Sequence, residues 1–384
     1  MSPPCSVALV NNSRDTFTPT ASGAIATCLW ELCRAAADEG APPIVITVPG
    51  EGETYPWDRL RTIAPYLGPA NPYQRRLLRA ERRLSGWARV GQRSYARQVA
   101  AVVAELRPAT VVCNNDPEVA VHLRRAAPEV RVVHWFHNLE LCAEGFRRRY
   151  VGDSGITTVA VSRYLARAIE ATYQLEPLSV AVAHNGVDAE TFHPVDAVRL
   201  PSPPVIGFVG RIGVEKAPDT LVRACLWMAR TRSDFALQLV GDTQFGPSTA
   251  TAFSSGVEVL LDELTAAGIS VTRTGHLPRA EVPAALRATD IQVVPSRWDE
   301  PCALTVLEGL ATGLVVVASA TGGTPELVGD AGVLFPRDDV PSLAGVLGRL
   351  LDDPDRRSAL ATTARRRATE FTWAATWRRV VGDP

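Results

Sequence analysis

What most limits the folds open to this chain is a hydrophobic period that keeps changing. Short β-branched runs stand at Val7–Val10, Ile44–Val48, Val111–Cys113, Arg131–Trp135 and Thr157–Val161. Between them lie stretches with apolar residues three and four apart, such as Ala24–Glu39 and Ser94–Leu106. Strand alternating with helix predicts parallel sheets covered on both faces, an α/β fold. The pattern pauses over Phe192–Pro204, where prolines gather, and restarts at Val205–Val209, Leu237–Val240, Ile291–Val294 and Leu314–Ala318. A chain of 384 residues exceeds what one core usually serves, so two α/β domains are expected, residues 1–195 and 196–368, with the linker at the pause. The tail, 369–384, carries Trp373 and Trp377 one helical turn apart and is expected to dock as a helix on the first domain.

Composition excludes several classes. Hydrophobic residues make up 46% and charged residues 21%, the balance of a globular protein, and a formal net charge of −1 argues against a nucleic-acid partner. No apolar run approaches the roughly 20 residues of a membrane span, and Met1–Pro4 lacks a basic leader region, so a cytoplasmic protein is expected. The seven cysteines are scattered without a C-x-x-C pair and read as reduced, buried residues. Asp353-Pro-Asp355 lies in a polar segment between helices rather than after a strand, so no metal site is expected. The basic stretch 75–83 reads as a solvated helix face, with contact to an anionic membrane or acceptor as the alternative. Oligomeric state leaves no trace in the sequence.

Open α/β sheets bind ligands beyond the carboxyl ends of their strands, so the loops after strands carry the chemistry. The run Val205–Val209 enters Gly210-Arg211, and Lys216, the only lysine of the chain, follows five residues on. An arginine fork and a lysine point charge in one loop suit a shared dianion. After Ile291–Val294 a loop holds Glu300-Pro301, and a helix beginning near Ala303 carries Glu308. The amides of Ala303, Leu304 and Thr305 would lack intrahelical partners and form an anion site. One carboxylate before that helix and one within it can address two parts of one ligand. Gly322-Gly323-Thr324-Pro325 reads as a tight turn into a helix, with Thr324 the N-cap and Pro325 at N1. In the first half, Arg131–Phe136 ends in His137-Asn138, which makes His137 the site candidate and His134 packing; Asn114-Asn115 ends another strand.

Taken in order, Gly210-Arg211 with Lys216, Pro295-Ser296 with Glu300 and Glu308, and Gly322-Gly323-Thr324-Pro325-Glu326 resemble the retaining GT-B glycosyltransferases of family 4. His184–Asp188, Phe192-His193-Pro194 and Gly275–Pro278 extend the resemblance, and the loop Asn11–Ala24 is most similar to the spore-coat-protein-like subgroup. The resemblance implies two facing Rossmann-like domains with a cleft between them and a C-terminal helix crossing back. It implies that Arg211 and Lys216 bind the donor diphosphate, Glu308 the ribose, and Glu300 the hydroxyls of the transferred sugar. Leu277 would lie near the base, Gly23 against the donor phosphate, and His137 near the anomeric carbon. Cys302, Ala303, Leu304 and Thr305 would line the donor site. The sequence departs from the family twice: the usual Lys-Gly is Lys216-Ala217, and the usual Pro-Phe-Gly is Pro301-Cys302-Ala303.

The function implied is metal-independent, retaining transfer from a nucleotide-diphosphate sugar, foremost a UDP-sugar, to a hydroxyl. The sugar nucleotide is then a co-substrate, and no resident cofactor is needed. The acceptor would be a small natural product, a cyclitol-type molecule or a cell-envelope precursor. Two alternatives share the frame: a UDP-N-acetylglucosamine 2-epimerase-like enzyme, which needs no acceptor, and a silent sugar-nucleotide-binding protein. A nicotinamide enzyme is disfavoured because no G-x-G-x-x-G follows a strand.

Overall fold

The computed structural model describes residues 6–13, 15–19, 23–50, 52–64, 90–140, 144–152, 155–194, 203–243 and 250–382. The stretch 75–83, Cys5 and Cys142 lie outside them. The chain forms two compact units, Met1–His184 with Trp373–Pro384, and Asn185–Thr372.

The first unit carries a parallel seven-stranded sheet of order β3-β2-β1-β4-β5-β6-β7. Its strands are β1 (Val7–Val10), β2 (Ile44–Thr47), β3 (Leu60–Thr62), β4 (Thr110–Asn114), β5 (Arg131–Phe136), β6 (Ile156–Ala160) and β7 (Ala181–Val182). The second carries a parallel six-stranded sheet of order β10-β9-β8-β11-β12-β13. Here β8 is Val205–Val209, β9 Ala236–Val240, β10 Ser270–Gly275, β11 Ile291–Val294, β12 Val315–Ser319 and β13 Gly332–Phe335.

The central strands are apolar on both faces because helices cover both, and β1, β4 and β12 are buried along their whole length. Each sheet reverses its strand order once, between β1 and β4 and between β8 and β11. At such a point the flanking crossovers leave to opposite faces and the strand ends part, which leaves a crevice for a ligand.

The boundary between units falls ahead of the proline-rich pause, which itself lies partly outside the described residues. The reason lies in what residues 185–192 bond to. Asn185 Nδ2 donates to the Cys302 carbonyl (3.1 Å), the Val187 amide to Phe371 O (2.9 Å), and Arg365 to Phe192 O (2.9 Å). The final helix, Trp373–Val381, belongs to the first unit and packs on the helix Ala24–Asp38. Trp373, Trp377 and Val380 are buried, Thr376 Oγ1 donates to His184 O (2.7 Å), and Arg131 donates to the carbonyls of Val381 and Gly382 (2.7 Å each).

Among the described residues no helix is long and apolar enough to cross a membrane, and no group of three or more His, Cys, Asp or Glu side chains could hold a metal.

Candidate active site

In the second unit, Lys216 and Glu300 stand on the loops after β8 and β11, the adjacent strands at the order reversal. The first loop is shaped by backbone bonds: Gly210 N donates to Val240 O (3.0 Å), Ile212 N to Asp242 O (2.9 Å), and Lys216 N to Gly213 O (3.1 Å). Gly241, at φ +133°, lets β9 pass so close that any Cβ there would strike the Gly210 carbonyl. The loop ends on Ala217, which caps the helix Pro218–Ala229 in the left-handed conformation (φ 51°, ψ 45°) and is buried.

This explains how alanine stands where the family shows glycine. Left-handed strain costs an alanine about 1–2 kcal/mol. Glycine would lose about 0.5–1 kcal/mol in backbone entropy and about 0.8 kcal/mol of methyl burial. The terms nearly cancel, so Ala217→Gly is expected to leave stability within ~1 kcal/mol of the wild type. A urea-unfolding difference above ~2 kcal/mol in either direction would contradict that balance.

Lys216 Nζ is paired with Glu300 Oε1, and the same oxygen accepts from Ser296 Oγ (2.7 Å). The Glu300 side chain is 4% exposed and that of Lys216 26%. The lysine also lies 5.7 Å from the centre of the Trp298 ring. Glu300 is held from behind, since its carbonyl accepts from Gly323 N (2.7 Å). The two loops are bolted together by Arg297, which lies between Ser296 and Glu300 and which no local sequence signal distinguishes. Its guanidinium forks onto Asp219 (2.8 and 2.7 Å) and reaches Asp338 (2.5 Å), while its amide donates to Glu215 O (2.8 Å). Arg211, on the same loop as Lys216, pairs with Glu215 at 2.7 Å in an exposed contact.

The helix after Glu300 spans Leu304–Ala311 with Ala303 as its N-cap. Ala303 has φ −70° and ψ 113°, an ordinary extended conformation, so no glycine is required of the backbone there. The amides of Ala303, Leu304 and Thr305 donate to no backbone carbonyl among the described residues. Cys302 is buried, and burial pushes its thiol up to about 12.

Glu308 is 2% exposed, and Arg279 Nη2 lies 2.6 Å from its Oε1. Among the described residues neither Glu308 oxygen has a donor in hydrogen-bonding alignment, so the Arg279 contact neutralises charge without filling the lone pairs. Arg279, a second residue missed, follows the Gly275–Pro278 segment directly and lies 5.0 Å over the Phe192 ring. Leu277 is half-buried in that segment. The glycine turn enters the helix Thr324–Val328 one residue earlier than the sequence suggested: Gly323 is the N-cap, and Thr324 is the first helical residue and buried.

In the first unit, Gly23 caps the helix Ala24–Asp38, and its amide faces Asp15 Oδ1 at 3.3 Å. Burial raises the Asp15 carboxyl, and the Gly23 amide opposes that shift. His137 sits just past β5. Its ring Nε2 meets Asn114 Oδ1 at 3.2 Å, and the amides of His137 and Asn138 both donate to Asn115 Oδ1 (2.9 Å each). Asn115 adopts φ 49° and passes its own amide to Glu140 (3.0 Å). His134, on the other face of β5, meets Tyr150 OH at 3.0 Å.

Burial lowers both histidines to about 3. A folded value below the unfolded ~6.5 means that the unfolded chain binds more protons between those values. Their contribution to stability is therefore complete above about pH 6.5 and is lost as pH falls, at up to ~1.4 kcal/mol per pH unit for each. Urea midpoints taken between pH 6.5 and 5 should fall, and His134→Asn, which keeps a partner for Tyr150, should remove about half of that slope. An unchanged slope would show that His134 is not held neutral.

Residues 25–191 match the family described as Glycosyltransferase Family 4, and residues 203–353 match Glycosyl transferases group 1. The D-inositol 3-phosphate glycosyltransferase of Thermobispora bispora is 35% identical over 276 residues, 65% of this chain and 64% of that protein. The match thus spans less than two thirds of that relative's length. The fold is that of the sucrose-phosphate synthase of Thermosynechococcus elongatus, with TM-score 0.74 and 23% identity over 97% of this chain and 96% of the other. Anabaena HepE in complex with UDP has TM-score 0.70 and 17% identity over 98% of each chain. With a family 4 first half and a group 1 second half on two parallel-sheet Rossmann-like units, this chain belongs to the GT-B glycosyltransferases of family 4.

Proposed function

We propose that the chain is a retaining glycosyltransferase that moves a sugar from a nucleotide-diphosphate sugar, foremost a UDP-sugar, to a hydroxyl of a small polyol acceptor. The observation that carries this is the pairing of Lys216 with Glu300 at the order reversal of the second sheet, beside the Leu304–Ala311 helix start. Two structural features support the division of labour. The cation and the unbonded first-turn amides suit a diphosphate, and the buried Glu308 offers two unfilled acceptor oxygens to the hydroxyls of a ribose. HepE binding UDP supports the nucleotide, and the name of the Thermobispora relative supports an inositol-phosphate type of acceptor.

In this reading the bond from the anomeric carbon to the diphosphate oxygen breaks and one to the acceptor oxygen forms on the same face of the sugar. Arg211, Lys216 and the amides of Ala303–Thr305 stabilise the charge that gathers on the leaving diphosphate, so no metal ion is called for. The acceptor proton passes to the departing phosphate oxygen, which leaves Glu300 to hold sugar hydroxyls.

The test ranks UDP-, GDP- and dTDP-sugars by thermal shift, then follows the favoured donor by NMR with and without inositol phosphates. A new glycoside with the donor's anomeric configuration, formed only with acceptor, is expected. Conversion of the donor alone to its 2-epimer, or tight binding with no turnover, would overturn the reading.

A further inference from the structure

The order reversal of the first sheet holds a polar network that the reading above leaves unused. Asn114 ends β4, and its side-chain Nδ2 donates to the Val10 carbonyl of β1 (2.9 Å). That bond spans the two strands at the reversal. A carbonyl can only accept, so it fixes which end of the Asn114 amide is nitrogen. The other end, Oδ1, is then an oxygen, and it faces His137 Nε2 at 3.2 Å. An amide oxygen also only accepts, so the ring proton must sit on Nε2.

We infer that Asn114 is a positioning residue which locks His137 as the Nε2–H tautomer, so that Nδ1 presents a lone pair to a substrate hydroxyl. The inference rests on the glycosyltransferase reading for the identity of that hydroxyl, and on geometry alone for the tautomer.

The surroundings hold the ring in this state. Asn115 Oδ1 takes the amides of both His137 and Asn138, which fixes the backbone that carries the ring. The Trp135 ring packs against it at 4.2 Å between centres. Nδ1 has no hydrogen bond among the described residues, and the residue keeps 7% of its surface exposed. Burial keeps the imidazole neutral far below neutral pH, so it offers an acceptor and not an acid. His134 differs, because its Nδ1 is already engaged by Tyr150 and it is fully buried.

The test uses the full chain labelled with ¹⁵N at histidine, with the His137 signals identified by their loss in His137→Gln. Long-range proton–nitrogen spectra at neutral pH are expected to give a pyrrole-type shift at Nε2 and a pyridine-type shift at Nδ1. Asn114→Leu removes the lock and should yield mixed tautomers, with kcat on the donor sugar lowered ~100-fold and the donor KM within about threefold. Asn114→Asp keeps an oxygen that accepts from Nε2 but loses the donor to Val10, so it should keep the Nε2–H signature with turnover between those of the wild type and Asn114→Leu. A wild-type ring protonated on Nδ1, or on both nitrogens, would overturn the assignment. So would equal losses in both variants with an unchanged spectrum, which is what a merely structural role predicts. Should Asn114→Leu fail to fold, the wild-type spectrum and Asn114→Asp still decide. A wild type that turns over no nucleotide sugar would remove the substrate half of the inference and leave the tautomer to the spectrum.

Discussion

Glu300→Ala and Lys216→Ala are each expected to lower glycosyl transfer by at least ~10²–10³-fold while the protein remains folded. The two side chains form one unit: Lys216 supplies the charge, Glu300 fixes where that charge sits, and Ser296 holds the carboxylate from the other side. In the proposed reaction, removing the lysine takes away positive charge at the leaving group, where electrostatic stabilisation contributes most. It also strands a nearly buried carboxylate. Breaking a fully buried pair costs about 3–5 kcal/mol, but the partial exposure of Lys216 and the Ser296 bond reduce that figure, so stability should fall by roughly 1–3 kcal/mol. Removing Glu300 frees the lysine to swing, and turnover falls although the charge survives. Steady-state kinetics with the favoured donor, read beside thermal melts, separate the two effects. Activity near that of the wild type in a folded variant would exclude that residue from the reaction.

Gly322→Ala should be among the most damaging single methyls in the second unit. At φ +55° an alanine carries about 1–2 kcal/mol of left-handed strain. Its Cβ would lie 2.6 Å from the Asp299 carbonyl carbon and 2.7 Å from Glu300 N, and would also strike Glu300 O. These are backbone atoms and cannot rotate away, so a further ~1–3 kcal/mol of overpacking is expected, roughly 2–5 kcal/mol in all. The displaced backbone is that of Glu300 itself, so activity should fall together with stability. Gly348→Ala, inside the helix Val340–Asp352 with open space around its Cβ, is the matched control. It should stabilise by about 0.5–1 kcal/mol. Calorimetric melts of the two variants moving in the same direction would contradict the steric account.

The sheets were legible in the sequence at their centres and not at their rims. Runs such as Val205–Val209 and Ile291–Val294 coincide with β8 and β11, because a strand covered on both faces must be apolar throughout. The strands without such a run are β3, β7, β10 and β13, the four sheet edges, and β10 shows why: its residues are exposed or half-exposed along the whole strand. An edge strand has one neighbour and little cover, so its side chains carry no strong pattern.

The site divides in a similar way. Lys216 is conspicuous because it is alone, whereas Arg279 and Arg297 are two of 39 arginines (40 basic residues less one lysine). Nothing local marks either one, since each acts on partners brought near only by folding, Glu308 for the first and Asp219 for the second. Asn114 is marked locally by its place at a strand end, but its bond to Val10, which spans 104 positions, is not.

The helix Trp373–Val381 has a consequence for the order in which the chain can become a protein. The second unit is one unbroken segment, Asn185–Thr372, and can close on itself once that segment has been made. The first unit is in two pieces: the helix Ala24–Asp38 and the end of Arg131 find this cover only in a helix made after the whole of the second unit. The unit whose sheet is made ahead of the other is therefore completed only after that other unit has been made. Until then it shows an apolar face shaped for Trp377 and Val380, which invites chaperones and aggregation alike.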